Sequence, residues 1–414
     1  MSNKKENKRF IVHFFMLLGL LTVFLTACQS SGGGCGQSDD AIQPLPEPTV
    51  IHDDPVVIPD PVDDSTPPED VVYVDENLLN GVPIIGVRNV VDGKYQSYLT
   101  GEWKDVDIAQ RRPLSVIISN NRPALPQYGL SRANIIFEAA VEGRTSRLVA
   151  YIEEYDDLER IGPVRSARDY FVYDSNGKDA IFCHWGLAVP YTADLINSDQ
   201  VDNVSQAIAG VAVSASEAYT RVNRPGYSTE YTGYLIPSGY TKAVERLGYR
   251  ETYRDDFVPQ FTFAAEGTRV EYEDYPDVSV IRPGGTGTSL GGYGNTNPYF
   301  EYNEEDGLYY RFQSGSKQVD EMNNEQLTFS NVVFQIAHGE VRDGNDYLAF
   351  RVHGEGEGAI VFTNGKMIEG NWIRESDRVP AKFYDTDGNE IIFNQGNTWI
   401  CLIWDKYADA MVLE

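Results

Sequence analysis

Residues 114–121 have the sequence LSVIISNN, in which a short apolar run ends in three polar residues. Such a run is typical of a strand that is buried on both faces. Another apolar run follows, ANIIFE at 133–138, and RLVAYI at 147–152 alternates in part and also has the character of a buried strand. The sequence therefore predicts a buried β-sheet at the start of the folded part of the chain.

Helix-like segments lie between and after these strands. SARDYFVY at 166–173 precedes another strand-like run, AIFCHW at 180–185, and residues 192–198 and 242–247 also have helical character. A mixture of strands and helices along one segment is the pattern of α/β architecture. We therefore predict an N-terminal α/β domain over residues 77–255.

From about residue 261 the pattern changes to short strand-like runs separated by turns. Asp-Gly and Asn-Gly pairs between several of these runs favour tight hairpins. The strand candidates are residues 269–273, 299–302, 308–312, 332–336, 359–362 and 399–404. This region predicts a mostly antiparallel β domain over residues 256–414, so that the whole chain is of the α+β class.

The N-terminal end of the sequence has the build of a lipoprotein signal. A basic start is followed by an apolar run, residues 10–25, that is too short to span a bilayer comfortably. LTAC at 25–28 resembles the bacterial lipobox, because small residues precede the cysteine whose thiol takes the lipid. We predict that residues 1–27 are a signal peptide and that lipid on Cys28 anchors the chain on the extracytoplasmic face of the cell membrane.

Residues 28–76 are predicted to be a solvated tether. Between residues 29 and 76 there are twelve acidic residues, eight prolines and no Lys or Arg. Like charges repel one another and proline stiffens the backbone, so a segment of this composition stays extended. The tether would act as a spacer between the membrane and the folded residues.

Charge and cysteine content exclude several function classes. The net charge of the chain is −28, which disfavours nucleic acid because its affinity comes mainly from neutralised phosphates. The wide spacing of the cysteines fits no zinc motif. Cys183 and Cys401 are expected to be separate buried thiols, with a disulfide between them as the alternative. We predict no nucleic-acid partner, no metal site and no cofactor.

The use of arginine indicates a candidate site. Residues 105–177 contain nine Arg and no Lys, which suggests planar, bidentate or stacked guanidinium contacts. In IGPVRSAR at 161–168, we expect Ser166 to cap the following helix. Arg165 and Arg168 are three residues apart and are expected to share one face of its first turn. A helix N-terminus and two guanidiniums would make a local anion site.

Four more residues complete the candidate ligand-binding set. Glu138, Glu142 and Arg147 lie close to the arginines along the chain, and His184 lies at a predicted strand end. Two interpretations remain open: the arginines pair internally with these glutamates or with Asp169, or they recognise an anionic ligand. The catalytic residues, if there are any, are not identified by the sequence.

Several stretches resemble the signature segments of YerB-type bacterial lipoproteins. They are RP at 122–123, PQYGL at 126–130, VEG at 141–143 and IGPVRSAR at 161–168. The resemblance covers nearly all of the chain from about residue 77 and implies two domains of unknown function with no agreed reaction. One departure is PGYST at 225–229, where such proteins often have a His-Asn pair, so a role for that histidine is not implied here.

The sequence leaves a binding protein and an enzyme as hypotheses. Cys183 and His184 are adjacent on a predicted strand and point to opposite faces, so they cannot form a catalytic pair in that geometry. No Ser-centred elbow, zinc helix or Walker motif is present. We predict a non-catalytic binding or regulatory module of the cell envelope, whose partner is a cell-wall polymer or an envelope protein. The alternative is a hydrolase or transferase acting on an anionic cell-wall glycan, with Glu138 and Glu142 as its carboxylate pair.

Overall fold

The structure is a computed structural model that describes residues 77–285, 293–342 and 346–414. The predicted signal peptide, the lipidation site Cys28 and the tether lie outside these described residues. Within the described ranges, no helix is both long enough and apolar enough to cross a membrane.

Short helices and many strands make up the described residues. The α-helices are α1 Val106–Ala109, α2 Asp169–Gly177, α3 Val189–Ile196 and α4 Pro237–Leu247. The strands up to residue 255 are β1 Leu78–Leu79, β2 Val82–Pro83, β3 Lys94–Gln96, β4 Trp103–Asp105, β5 Leu114–Ser119, β6 Ile135–Val141, β7 Thr145–Ile152, β8 Ile181–His184, β9 Asn203–Ser205, β10 Tyr219–Arg221 and β11 Gly233–Leu235.

The later strands are more numerous. They are β12 Thr262–Phe263, β13 Val280–Arg282, β14 Tyr299–Asn303, β15 Leu308–Gln313, β16 Ser316–Lys317, β17 Thr328–Phe329, β18 Asn331–Ala337, β19 Gly339–Arg342, β20 Tyr347–Phe350, β21 Gly354–Glu355, β22 Gly358–Thr363, β23 Lys366–Arg374, β24 Lys382–Asp385, β25 Ile392–Phe393, β26 Thr398–Trp404 and β27 Val412–Leu413.

An eleven-stranded sheet forms the centre of the fold. Its order is β21-β23-β22-β18-β26-β6-β7-β5-β8-β9, with β24 paired to β23. The pairs β5–β8, β8–β9, β6–β26 and β18–β26 are parallel, whereas β7 is antiparallel to both β5 and β6. Strands β5, β6, β8, β9, β18 and β26 therefore point the same way. We call the side of the sheet where these six strands end the carboxyl edge.

Both faces of the sheet are covered, which explains why β5, β6 and β26 have so few exposed residues. On one face Phe137 contacts Phe171 of α2, with ring centroids 6.1 Å apart. On the other face Trp399 contacts Phe300 of a second sheet, formed by β13–β17 and β27, at 5.7 Å. Strands covered on both sides have near-continuous apolar sequences.

Most of the predicted strands are confirmed. β5, β6, β7, β8, β14, β15, β18, β22 and β26 each overlap a predicted run. The predicted strand at 269–273 is wrong, since these residues form no strand. Here the backbone N–H of Val270 donates to the Asn394 side chain and Tyr272 has a positive φ of 53°, so the segment does not form a ladder.

The described chain is built mainly of β-sheet with fewer helical residues. The α/β class of residues 77–255 and the domain boundary near residue 255 stay predictions. Strands from both sides of that boundary, such as β6 and β26, pair within one sheet. Cys183 and Cys401 are both buried free thiols, so the expectation of separate thiols is confirmed and no disulfide joins them.

Candidate functional site

The carboxyl edge opens between β5 and β8, and a chain segment fills the gap. The two strands pair only from Leu114 to Val116. Beyond that point the backbone N–H of Arg165 donates to Ile117 of β5 at 2.9 Å, and the N–H of Trp185 donates to Arg165 at 3.0 Å. Residues 164–167 are therefore an extended insert held by both strands, which places Arg165 and Arg168 at the carboxyl edge. Ligands of open α/β sheets bind at such an edge.

This insert corrects the local helix prediction. Helix α2 begins at Asp169 with Arg168 as its N-cap residue, and no side chain caps it. Ser166 is therefore not a cap, and Arg165 and Arg168 do not share a helical turn. The reason is that the N–H of Ala167 donates to Gly186 at 2.8 Å, so pairing with the chain beyond β8 replaces the first helical turn.

Arg147, Arg165, Arg168 and Glu142 lie together at this edge, and we call them the arginine cluster. Arg168 binds Glu142 with both arms of its guanidinium, Nε to Oε1 at 2.9 Å and Nη2 to Oε2 at 2.5 Å. Arg165 forms an ion pair with Glu230 at 2.7 Å. Arg165 and Arg168 are thus paired internally. Of the two glutamates predicted for the site, only Glu142 lies in the cluster.

Arg147 differs from the other two arginines. It lies at the start of β7 opposite Ser119, and its Nη1 donates to the backbone carbonyl of Ser166 at 2.5 Å. Among the described residues, no carboxylate lies within ion-pair distance of it. Its side chain is nevertheless almost fully buried, with 8% of the residue exposed.

The pKa values of Arg147 and Glu142 reflect the excess of arginines over carboxylates in the cluster. Burial and the nearby charges of Arg168 and Arg165 lower the pKa of Arg147 to about 9. Burial alone would favour the neutral acid at Glu142, but the hydrogen bonds and charge of Arg168, with the charge of Arg147, lower the pKa of Glu142. The cluster therefore holds an ionised carboxylate that is hydrogen-bonded to Arg168 and acts on Arg147 only from beyond ion-pair distance.

A second layer of residues surrounds the cluster and was missed from the sequence. The ring of Tyr347 lies 5.1 Å from the Arg168 guanidinium carbon. Arg342, at the end of β19, forms an ion pair with Asp169 of α2 at 2.5 Å. Asp169 is therefore paired with Arg342 and is not the partner of Arg165 or Arg168. These contacts join residues far apart in the chain, and the sequence contains no local signal for them.

Glu138 is separated from the cluster by the sheet itself. Its side chain points to the opposite face, is fully buried and accepts from Arg311 Nη2 at 2.8 Å. Asn120 Nδ2 at 2.8 Å, Ser146 Oγ at 2.6 Å and Trp399 Nε1 at 3.0 Å donate to the same carboxylate. The structure thus does not bring Glu138 and Glu142 together.

Arg311 and its neighbours were also missed, although β15 carries a signal for them. In LYYRFQ the residues Tyr309, Arg311 and Gln313 are buried and alternate with more exposed ones. Strand periodicity therefore places a cation and an amide on the inward face. Gln313 Nε2 donates to Asn120 Oδ1 at 3.1 Å, which extends the polar network between the two sheets.

His184 lies at the end of β8, and its imidazole adds no charge to the site. It is fully buried, and its Nδ1 lies 2.9 Å from the carbonyl of Gly186. Burial lowers the pKa of His184 to about 4, against smaller opposing contributions from hydrogen bonds to Gly186 and Asn203. The imidazole is therefore neutral near pH 7.

Other concave surfaces lie away from the cluster. A polar groove of about 840 Å³ is lined by residues that include Arg250, Arg378 and Asp377, at the opposite side of the sheet from the carboxyl edge. A pocket of about 570 Å³ is lined by residues that include Tyr155 and Tyr240. Within the described ranges, no three His, Cys, Asp or Glu side chains are placed to hold a metal ion together.

The sequence matches a known protein family over most of the described residues. A model described as "Protein of unknown function (DUF3048) N-terminal domain" matches residues 99–250, and one described as "Protein of unknown function (DUF3048) C-terminal domain" matches residues 290–400. The chain belongs to this family. The resemblance inferred from the sequence is thereby confirmed.

One relative and one solved structure support the assignment to the DUF3048 family. The chain is 29% identical over 320 residues to a Bacillus subtilis (strain 168) protein named "Putative lipoprotein YerB", a match that covers 77% of this chain and 89% of that protein. The crystal structure of YerB from Bacillus subtilis is similar with a TM-score of 0.62 and 25% identity, covering 77% of this chain and 99% of that one.

The two family domains contribute differently to the features described above. Arg147, Arg165 and Arg168 all lie within the match to the N-terminal domain, and Arg311 lies within the match to the C-terminal domain. The buried ion pair of Arg311 with Glu138 therefore joins residues from the matches to both domains of the DUF3048 family.

Proposed function

We propose that the chain is a lipid-anchored, extracytoplasmic binding protein that recognises an anionic ligand at the arginine cluster without catalysing a reaction. The observation that carries the proposal is that Arg147 is almost fully buried and forms no ion pair with a carboxylate among the described residues. A buried charge is costly unless it is paired. An anion bound at the carboxyl edge would supply the missing partner.

The charges around the site support an anionic ligand. The cluster contains three guanidiniums and one carboxylate, and Glu230 adds a second carboxylate at the exposed periphery. One positive charge is therefore left over on a chain whose net charge is −28. Guanidinium groups recognise carboxylates and phosphates through bidentate hydrogen bonds.

The carboxylates and the imidazole suit binding better than catalysis. A glycan-cleaving enzyme needs two carboxyl groups that flank one bond. Glu138 is enclosed between the sheets and Glu142 is held ionised by Arg168, so neither is placed to donate a proton. The alternative, a hydrolase or transferase acting on an anionic cell-wall glycan, lacks such a pair among the candidate residues.

The proposed location rests on the sequence and on one relative. LTAC at 25–28 has the pattern of a lipidation site at Cys28, and the similar Bacillus subtilis protein carries "lipoprotein" in its name. The acidic residues 28–76 would hold the cluster away from anionic headgroups. The proposed partners are therefore a cell-wall polymer or another envelope protein.

Crosslinking in intact membranes tests this proposal. The Arg165→Ala variant loses a partly exposed guanidinium, so partner capture should fall while folding stability is retained. Arg246→Ala is a matched control, since Arg246 forms an exposed pair with Glu217 within the N-terminal domain match. If both variants capture the same partners as the unchanged protein, the cluster is structural and the proposal is wrong.

A further inference from the structure

We infer that the arginine cluster binds a phosphate group, and that Glu142 occupies the position of this phosphate when the ligand is absent. This inference rests on the proposed anion-binding function and names the chemical class of the ligand. It also assigns a role to Glu142, as an internal carboxylate that the ligand displaces from Arg168.

The number of donors favours phosphate over carboxylate. Glu142 already satisfies two nitrogens of Arg168 with its two oxygens. Among the described residues, the side chain of Arg147 then donates a hydrogen bond only to the Ser166 carbonyl and forms no ion pair. A phosphate group presents three acceptor oxygens, so it can take the place of Glu142 on Arg168 and still offer one oxygen to Arg147.

The charge balance also matches phosphate. With Glu142 in place, the three arginines and the two carboxylates leave a surplus of one positive charge. When Glu142 leaves, the surplus becomes two. A phosphate monoester carries a charge of about −1.5 to −2 near pH 7, so it compensates this surplus, whereas a single carboxylate does not.

The backbone around Glu142 allows the displacement. Glu142, Gly143 and Arg144 connect β6 to β7, and Gly143 and Arg144 are both exposed with positive φ values of 74° and 58°. A Cβ atom placed on Gly143 would meet nothing within 4 Å. The Gly143 carbonyl accepts from Asn295 at 2.9 Å, so the displacement we infer is a rotation of the Glu142 side chain, which is already 21% exposed, toward solvent.

The position of the site is consistent with this ligand. The insert of residues 164–167 ends at helix α2, whose N-terminus begins at Asp169 beside Arg168. The partial positive charge of a helix N-terminus adds to the attraction of the guanidiniums for an anion. The carboxyl edge therefore combines the helix and the three arginines on one face of the sheet.

Calorimetric titration of the full chain in detergent with inorganic phosphate tests the inference. We expect phosphate to bind and succinate at equal ionic strength to bind at least about tenfold more weakly. Glu142→Gln should tighten phosphate binding by about tenfold, because the internal competitor is removed while the shape is kept. Arg147→Met should abolish binding, and the control Arg246→Met should leave it unchanged. Thermal unfolding of each variant shows whether it is folded.

The outcomes separate this inference from the proposed function. Equal binding of succinate and phosphate, or no phosphate binding while capture in membranes still depends on Arg165, overturns the phosphate assignment and leaves the anion-binding proposal standing. Weaker or unchanged phosphate binding in a folded Glu142→Gln variant overturns the displacement. If the unchanged protein binds no phosphate and its capture of partners does not depend on Arg165, the proposed function itself is wrong.

Discussion

The guanidinium of Arg311 lies 2.8 Å from the carboxylate of Glu138, and both side chains are fully excluded from solvent. Such a pair gives little net stability over apolar residues, but it becomes very costly when one partner is removed. Its carboxylate also accepts from Asn120, Ser146 and Trp399, so the whole network depends on the charge of Glu138.

Removal of one member of this pair should strongly destabilise the protein. We expect Arg311→Met to lower the free energy of unfolding by about 3–5 kcal/mol, because Glu138 is left as an unpaired buried charge. Urea unfolding measures the change. The control is Lys94→Met, which breaks an exposed pair with Asp105 and should cost less than about 1 kcal/mol. Similar losses in the two variants would contradict the expectation.

The two paired arginines of the cluster should differ in their effect on stability. Arg168 is mostly buried and binds Glu142 through two hydrogen bonds, so Arg168→Met should cost about 2 kcal/mol. Arg165 pairs with Glu230 near the surface, so Arg165→Ala should cost less than about 1 kcal/mol. Chemical denaturation of both variants at the same salt concentration measures the two losses in the free energy of unfolding. A larger loss for Arg165→Ala than for Arg168→Met would show that Arg165 is the structural residue.

Glu153 should make stability depend on pH near neutrality. Burial raises the pKa of Glu153 to about 7, against opposing contributions from Lys104 and Ser97. Because the folded protein holds this proton more tightly than the unfolded chain, the stabilising contribution is complete below about pH 4.5 and is lost as the pH rises through about 7.

Relative to a Glu153→Gln variant, we therefore expect the unchanged protein to lose about 3 kcal/mol between pH 5 and pH 8. Denaturant titrations at pH 5, 6, 7 and 8 measure this difference. Glu154→Gln is the neighbouring control, since Glu154 is half-exposed and its pKa is lowered, chiefly by a hydrogen bond from Lys104. A difference that stays constant over the range would rule out titration of Glu153.

Both thiols in the described residues should be unreactive in the native protein. Cys183 and Cys401 are fully buried, and burial raises the pKa of each thiol, so little thiolate is present to react. Alkylation followed by peptide mass spectrometry should modify both cysteines only after denaturation. Rapid native modification of either thiol, or a peptide that links the two, would disagree with the structure.

Gly239 should not tolerate a side chain. A Cβ atom at this position of α4 would lie 2.1 Å from the backbone oxygen of Glu217. Gly239→Ala should therefore push α4 away from the turn at residues 216–218 and cost about 1–3 kcal/mol. Thermal unfolding measures the loss, with Ser238→Ala as the adjacent exposed control. Equal stability of the two variants would mean that α4 can shift freely.

The strands were more predictable than the helix starts, for a physical reason. Apolar runs such as residues 114–118 form buried strands wherever they pair, so composition alone identifies them. The start of α2 depended on competition between a helical turn and pairing of residues 164–167 with β5 and β8. Only the folded chain brings that competitor close.

The candidate site was predicted in part. Arg147, Arg165, Arg168 and Glu142 do lie together, and Arg-rich composition near a turn was enough to select them. Arg147 lies opposite Ala139 in the β6–β7 ladder, so the neighbouring Glu138 points to the other face of the sheet. Its partner Arg311 lies 173 residues further along the chain, in β15. The alternation of β15 marks Arg311 as an inward residue, but nothing in the local sequence identifies Glu138 as its partner.

The pairing of β6 with β26 has a consequence for biogenesis. Glu138 lies beside Cys401 in that ladder, so β6 gains its second neighbouring strand only when β26 is present. Until β26 pairs with it, β6 has an open hydrogen-bonding edge, which favours aggregation. A chain truncated before Thr398 lacks β26, so we expect it to depend on chaperones or to be degraded.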